Sequence, residues 1–213
     1  MYLSIFDLDG TILKINSSFY FYIFLFKKKI FKRKTIFRLF IYYLRYKYFN
    51  LSIEKLHKKV FTRYVKGLDI KLFSENFDKF LDKYLNHAFY MPSINKINES
   101  FYNNHLILLL SSSPSFIVSP IAEILKIQNF KATEYKLNEE NKIQKIFFIM
   151  NGAKKAAIAL DVMKKNNIDK ENVFVYSDSI HDMKLFDVAK NKIAVNPCKK
   201  LKKIAIKNGW EIV

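Results

Sequence analysis

Three short apolar runs in this chain end abruptly in residues that carry chemistry. Tyr2–Phe6 runs straight into DLDG, HLILLL into SSSPS, and Val173–Tyr176 into SDSIHD. Each run is short, apolar and free of turn residues, the pattern of a buried strand. Helical patterns lie between them. Strands that alternate with helices predict an α/β fold, a parallel sheet with helices on both faces. Right-handed crossovers then set the loops after the strands along one edge, where such sheets bind ligands. The reading gathers Asp7, Asp9, Ser111 and Asp178 at that edge from distant parts of the chain.

Asp7 and Asp9 stand one residue apart beside a buried strand. Like charges there repel and resist desolvation, so a cation must compensate. Carboxylate oxygens are what Mg²⁺ prefers. A calcium loop of the EF-hand kind is a poor match to DLDG, because its twelfth position holds Ser18 and not glutamate. The four histidines show no zinc-ligand spacing, and the single Cys198 excludes an intramolecular disulfide.

The rest of the pattern divides the chain. From about Ile15 to Tyr90 the periodicity is helical, with only Gly67 as a breaker; IEKLHKKVFTRYV and NFDKFLDKYL place apolar residues three and four apart. PSINKINESFYNN reads as a helix, and PSFIVSPIAEILKI as another, capped by Ser113 with Pro114 at its first position. Asn129–Tyr135 reads as a strand, and Lys136–Met150 is ambiguous, a hairpin being one reading. Asn151 is placed to cap a helix through GAKKAAIALDVMKKNN, MKLFDVAK is helix-like, KIAVN is a last strand and KKLKKIAIKNG a last helix. The expected organisation is a core of residues 1–14 and 92–213, with a helical cap of residues 15–91 inserted after the first strand and hanging over the ligand edge.

FDLDGT, LLLSSSPSF, NGAKK and VYSDSIHD, in that order, resemble the haloacid dehalogenase superfamily of phosphatases. The nearest branch is the phosphoserine-phosphatase-like one with a helical cap between the first two motifs, and the tail AVNPCKKLKKIAIKNGWEIV is similar to it as well. The resemblance implies a doubly wound, Rossmann-like core. It implies Asp7 as the nucleophile that forms an aspartyl-phosphate, and Asp9 as the acid and base. Gly10 would let the backbone turn beside the phosphate, and Ser111, with Ser112 next to it, would bind it. Lys155 matches the family's lysine, though Lys154 stands beside it. Mg²⁺ would be held by Asp7, the Asp9 carbonyl and Asp178, with Asp182 assisting. One departure is Ser177, where the family usually has glycine.

Substrate and location rest on charge. The net charge is +18, and from Gly10 to Ile53 there is no acidic residue but ten basic ones. Such a segment attracts phosphate esters, nucleic acid or an anionic membrane. A/T-rich codons would also favour Lys, Asn, Ile, Phe and Tyr. Phe19–Phe26 is apolar all round and flanked by lysines, which is the profile of an interfacial segment and equally that of the core of a helical cap. The leading expectation is therefore a phosphate ester on an amphiphile, such as phosphatidylglycerophosphate. The alternative is phosphoserine or another small soluble monoester. A non-catalytic basic protein on nucleic acid or membrane ranks last, because it leaves the acidic constellation unexplained. The N-terminus lacks a basic leader, Ile15–Phe26 is too short to span a bilayer, and Ser100–Ala122 is broken by SSSPS. The expected location is the cytoplasm, with peripheral contact at the inner membrane face.

Overall fold

The computed structural model describes residues 1–49 and 51–213. At its centre is β1 (Leu3–Phe6), whose residues are all buried. β2 (Leu106–Pro114) and β5 (Val173–Ser177) flank it in parallel, with Leu3 opposite both Leu106 and Val173. β3 (Asn129–Leu137) lies parallel to β2 and turns back into the antiparallel β4 (Ile143–Phe148), so the ambiguous stretch is a hairpin. On the other side follow β6 (Asn191–Ala194) and β7 (Glu211–Ile212), the latter formed by the terminal WEIV, too short to signal itself. The sheet order is β4-β3-β2-β1-β5-β6-β7. The chain moves outward from β1 in one direction and resumes at β5 in the other. That reversal leaves a crevice beyond the ends of β1 and β5.

Between β1 and β2 lie α1 (Ser17–Lys27), α2 (Arg33–Tyr48), α3 (Ile53–Val60), α4 (Lys71–Phe80) and α5 (Met91–Tyr102). Wider turns at Phe61–Val65 and Leu81–Leu85 extend α3 and α4. Asn16 caps α1, its side chain accepting from the Phe19 N–H at 2.9 Å. Gly67, at φ +83°, does separate helices, but the helical stretch also breaks after α1, where Lys29 takes φ +61° with no glycine or proline to announce it. α6 (Ser115–Ile124), α7 (Gly152–Lys165), α8 (Met183–Phe186) and α9 (Lys199–Lys207) complete the described helices. Asn151 caps α7 as expected, accepting from the Lys154 N–H at 2.8 Å.

Two expectations about SSSPS need correction. It is not a turn: β2 continues through it, with its register to β3 shifted between Leu110 and Pro114. Nor does Ser113 cap α6, since Pro114 holds the cap position and the Ser113 hydroxyl turns to a carboxylate instead.

One core lies on each face of the sheet. α7, α8 and α9 close one face, with Ile5, Leu108 and Val175 beneath them. The other core is continuous from the sheet into α1 and α4. Phe21, Tyr22, Phe24 and Leu25 are buried within it. Phe21 meets Phe80 with ring centroids 4.9 Å apart, and Phe73 lies 4.1 Å from Phe116. Burial of each such side chain contributes roughly 1.5–3 kcal/mol. Of the two readings its composition allows, the apolar run of α1 is thus core. Among the described residues no helix is long and apolar enough to cross a membrane.

Candidate active site

Asp7 follows β1 directly, and its N–H donates to the Tyr176 carbonyl at 3.0 Å, so sheet pairing fixes its backbone. Its carboxylate is buried, and Lys155 Nζ lies 2.6 Å from Oδ1. The same Nζ lies 2.9 Å from Asp182 Oδ2, which also accepts from the Ser177 hydroxyl at 2.7 Å. Lys155 stands in the first turn of α7. That helix comes close to the loop after β5 because Gly152 has no side chain: a Cβ there would sit 2.1 Å from the His181 carbonyl oxygen. The neighbouring Lys154 turns away, donating to the Ile149 carbonyl at 2.7 Å. Lys155 is the lysine that faces Asp7.

Asp9 is held at both oxygens. Oδ1 accepts from the Ser17 N–H at 2.5 Å, and Oδ2 from the Ser113 hydroxyl at 2.5 Å. Ser18 Oγ lies 2.6 Å from Ser113 Oγ, so the start of α1 and the end of β2 grip one carboxylate. Ser111 is buried, and its hydroxyl accepts from the Ser113 N–H at 3.0 Å. The Ser112 carbonyl accepts from Thr133 at 2.8 Å, pinning that loop to β3. Asp178 takes its place from Thr11, whose hydroxyl accepts the Asp178 N–H at 2.9 Å. Thr11 Oγ1 also lies 3.5 Å from both Asp7 Oδ2 and Asp178 Oδ1. Gly10 has φ +88°, and a Cβ there would fall 2.4 Å from Asp178 Oδ2. The spacing of the two elements thus demands glycine twice over.

The electrostatics follow from burial. Desolvation pushes Asp7 up to about 7 against the pull of Lys155. Burial raises Asp9 as well, opposed by its hydrogen bond from Ser113. Asp178 is raised well above the ordinary carboxylate range, by burial and then by the charges of Asp7 and Asp182. Lys155 is itself held above the ordinary lysine range, burial being outweighed by the two carboxylates beside it.

Asp178 makes no ion pair among the described residues, although it faces Asp7 across Thr11. Two converging carboxylates with raised proton affinity suit a hard divalent cation. No trio of His, Cys, Asp or Glu side chains among the described residues forms a ligand cluster. Asp182 Oδ2 is engaged by Lys155 and Ser177. Ser177 stands where glycine was usual and uses its hydroxyl to hold that carboxylate.

The helices between β1 and β2 touch each loop of the site. Tyr46 of α2 stacks on His181, with centroids 5.3 Å apart. Burial, and then the Asp182 charge, keep the Tyr46 hydroxyl protonated well beyond the ordinary tyrosine range. On α3, Glu54 accepts from the Asn151 side chain at 2.5 Å, and His57 Nδ1 lies 3.2 Å from the Tyr135 hydroxyl. Burial drives His57 down to about 4, although it also bonds to the Ser112 backbone. The sequence reading missed Thr11, Ser17, Tyr46, Glu54 and His57 as site neighbours. Of these only Thr11, inside FDLDGT, carried a local signal.

The fold and this cluster define a hydrolase class, and the chain belongs to the haloacid dehalogenase-like hydrolases, whose family model matches residues 5–187. It is similar to a histidinol-phosphatase of Neisseria meningitidis, 24% identical over 225 residues that cover 99% of this chain and 97% of the relative. A Mycobacterium tuberculosis protein named a probable phosphatase is 27% identical over 107 residues, and the match spans only 37% of that relative's length and 50% of this chain. Among solved structures, a Bordetella pertussis Tohama I protein of unknown function superposes with a TM-score of 0.86 at 20% identity, covering 99% of this chain and 97% of the other. A phosphoserine phosphatase solved as a phospho-aspartyl intermediate analogue gives 0.71 at 18% identity, over 99% and 91% of the two chains. The match to the Mycobacterium relative thus spans well under half of that protein, and two of these relatives carry phosphatase names.

Proposed function

We propose that this hydrolase is a phosphatase that hydrolyses phosphate monoesters through a phosphorylated Asp7, with Mg²⁺ as its cofactor. The observation that carries the reading is the Asp7 carboxylate itself: buried, one oxygen on Lys155 and the other directed toward Thr11 and Asp178. Asp7 attacks phosphorus, and the bond from phosphorus to the alcohol oxygen breaks. Asp9, whose proton affinity burial raises, gives its proton to that leaving oxygen. It then takes a proton from water, which attacks the phosphoryl group and restores Asp7. Ser17 and Ser113 hold Asp9 in one orientation for both steps. Lys155 neutralises Asp7 and the phosphoryl oxygens, and Asp182 orients Lys155. Ser111, Ser112 and the first N–H groups of α6 receive the phosphate. Asp7, the Asp9 carbonyl and Asp178 would hold Mg²⁺, which would supply charge neutralisation when bound.

Residues 15–91 act in this reading as a cap over a core of residues 1–14 and 92–213. We assign a small phosphorylated alcohol as substrate, supported by the near full-length likeness to a histidinol-phosphatase. An amphiphilic ester, for instance phosphatidylglycerophosphate, is the second reading. It loses the support of α1, whose apolar run is buried, and keeps that of exposed Phe37 and Ile41 on α2. The lone cysteine fits a reducing cytoplasm. The test is phosphate release from an aryl phosphate, phosphoserine, histidinol phosphate and a lysophospholipid phosphate, by wild type and Asp7→Asn, with Mg²⁺ or EDTA. Mg²⁺-dependent release absent from Asp7→Asn is the expected result; release that persists in the variant overturns the mechanism. The ranking of esters decides the substrate class.

A further inference from the structure

We infer that the outer face of α2 docks on an anionic lipid bilayer. Leu39 and Tyr42 turn inward from this helix, yet Phe37 is 66% exposed and Ile41 36%. Ile30, in the turn before the helix, is 38% exposed. Residues 34, 37, 38 and 41 recur three and four apart, so they share one helix face, a face turned to water in this structure. Arg33, Lys34 and Arg38 surround the apolar tips and make no ion pair among the described residues. No carboxylate from Gly10 to Ile53 offsets them.

The charge selects the occupant. A second copy of this chain would set one basic face against another, which repulsion opposes. Nucleic acid would match the charge but gives no place to Ile30 and Ile41, which can neither stack on bases nor bond to phosphate. An anionic bilayer matches both features, with lipid phosphates for the guanidinium and ammonium groups and the acyl boundary for Phe37 and Ile41. The other end of the same helix carries Tyr46 on His181, beside the catalytic loop. The nine-residue step from Phe37 to Tyr46 spans about 14 Å of helix, so docking holds the site mouth near the lipid surface.

The inference concerns a surface remote from the catalytic carboxylates and stands apart from the mechanism proposed above. Its test is sedimentation with phosphatidylcholine vesicles, with and without phosphatidylglycerol, at low and high salt. The proteins are wild type, Phe37→Asp/Ile41→Asp and Arg33→Glu/Arg38→Glu. These side chains lie outside the core, and aryl phosphate hydrolysis serves as the separate check on fold and catalysis. The expected result is binding that needs phosphatidylglycerol and falls at least about tenfold at high salt and in each double variant, with hydrolysis unchanged. Wild type that stays in the supernatant, or binding unaffected by either double variant, overturns the inference. So does a dimer that Phe37→Asp/Ile41→Asp dissociates, or RNA binding with the same residue dependence in place of vesicle binding.

Discussion

Lys155 Nζ lies 2.6 Å from Asp7 Oδ1 with both side chains almost wholly enclosed. A buried cation between two carboxylates stabilises the folded chain only while all three are present. Removing one partner of a buried pair costs about 3–5 kcal/mol, because the others remain charged and unpaired. Lys155→Met should therefore lower stability by that order in urea unfolding, as well as abolish phosphate release. Adding Asp182→Asn to Lys155→Met should recover part of the loss, since one of the stranded charges is then gone.

Gly10→Ala tests the approach of Asp178. The new methyl would sit 2.4 Å from Asp178 Oδ2 at a backbone φ of +88°. Asp178 must move, and the proposed cation site opens. The Mg²⁺ concentration for half-maximal activity should rise about 10–100-fold, the usual penalty for disturbing the support of a ligand. A magnesium titration of aryl phosphate hydrolysis reads it directly.

Ser113→Ala removes the hydroxyl that donates to Asp9 Oδ2. Binding of the phosphate should survive, because Ser111 is untouched. The turnover number should fall about tenfold or more, with KM little changed, as the acid loses its fixed orientation. Ser113→Thr keeps the hydroxyl and should restore most of the rate, which a purely structural role for the position would not require.

His57 supplies a pH dependence. Burial lowers it from its ordinary 6.5 to about 4 in the folded chain. Above pH 6.5 neither state binds the proton. Between 6.5 and 4 the unfolded chain binds it and the folded chain does not, so stability falls as pH falls. The loss attributable to this residue reaches about 3 kcal/mol near pH 4. Urea midpoints of wild type and His57→Gln, measured from pH 7 to pH 4, should diverge in slope by that amount.

Chelation is the simplest check on the cofactor. EDTA should stop release by wild type, and Mg²⁺ in excess should restore it. Activity that survives exhaustive chelation would remove magnesium from the mechanism.

The strands and the four motifs were legible because each motif is local: Asp7, Ser111, Lys155 and Asp178 each sit within a few residues of a strand end or helix start. Asn151 was legible as a cap for the same reason. Ser113 was misread because a serine before a proline and an apolar run is locally a cap, and only the distant Asp9 draws its hydroxyl elsewhere. The Phe19–Phe26 run was legible only as one of two things, because an all-apolar helix looks the same whether it meets lipid or a protein core; α4 and Phe116 decide the matter, and they lie far along the chain. Tyr46 and His57 had no local signal at all, since what makes them neighbours of the site is how α2 and α3 pack.

The contact between Phe73 and Phe116 belongs to a core that runs unbroken from sheet to α1 and α4. Lifting those helices as a lid would wet that core, so they are poorly suited to a hinge. The stacked pair Tyr46 and His181 can part without disturbing it. Of the contacts between the helices that follow β1 and the site loops, this ring pair is one that lies outside the continuous core.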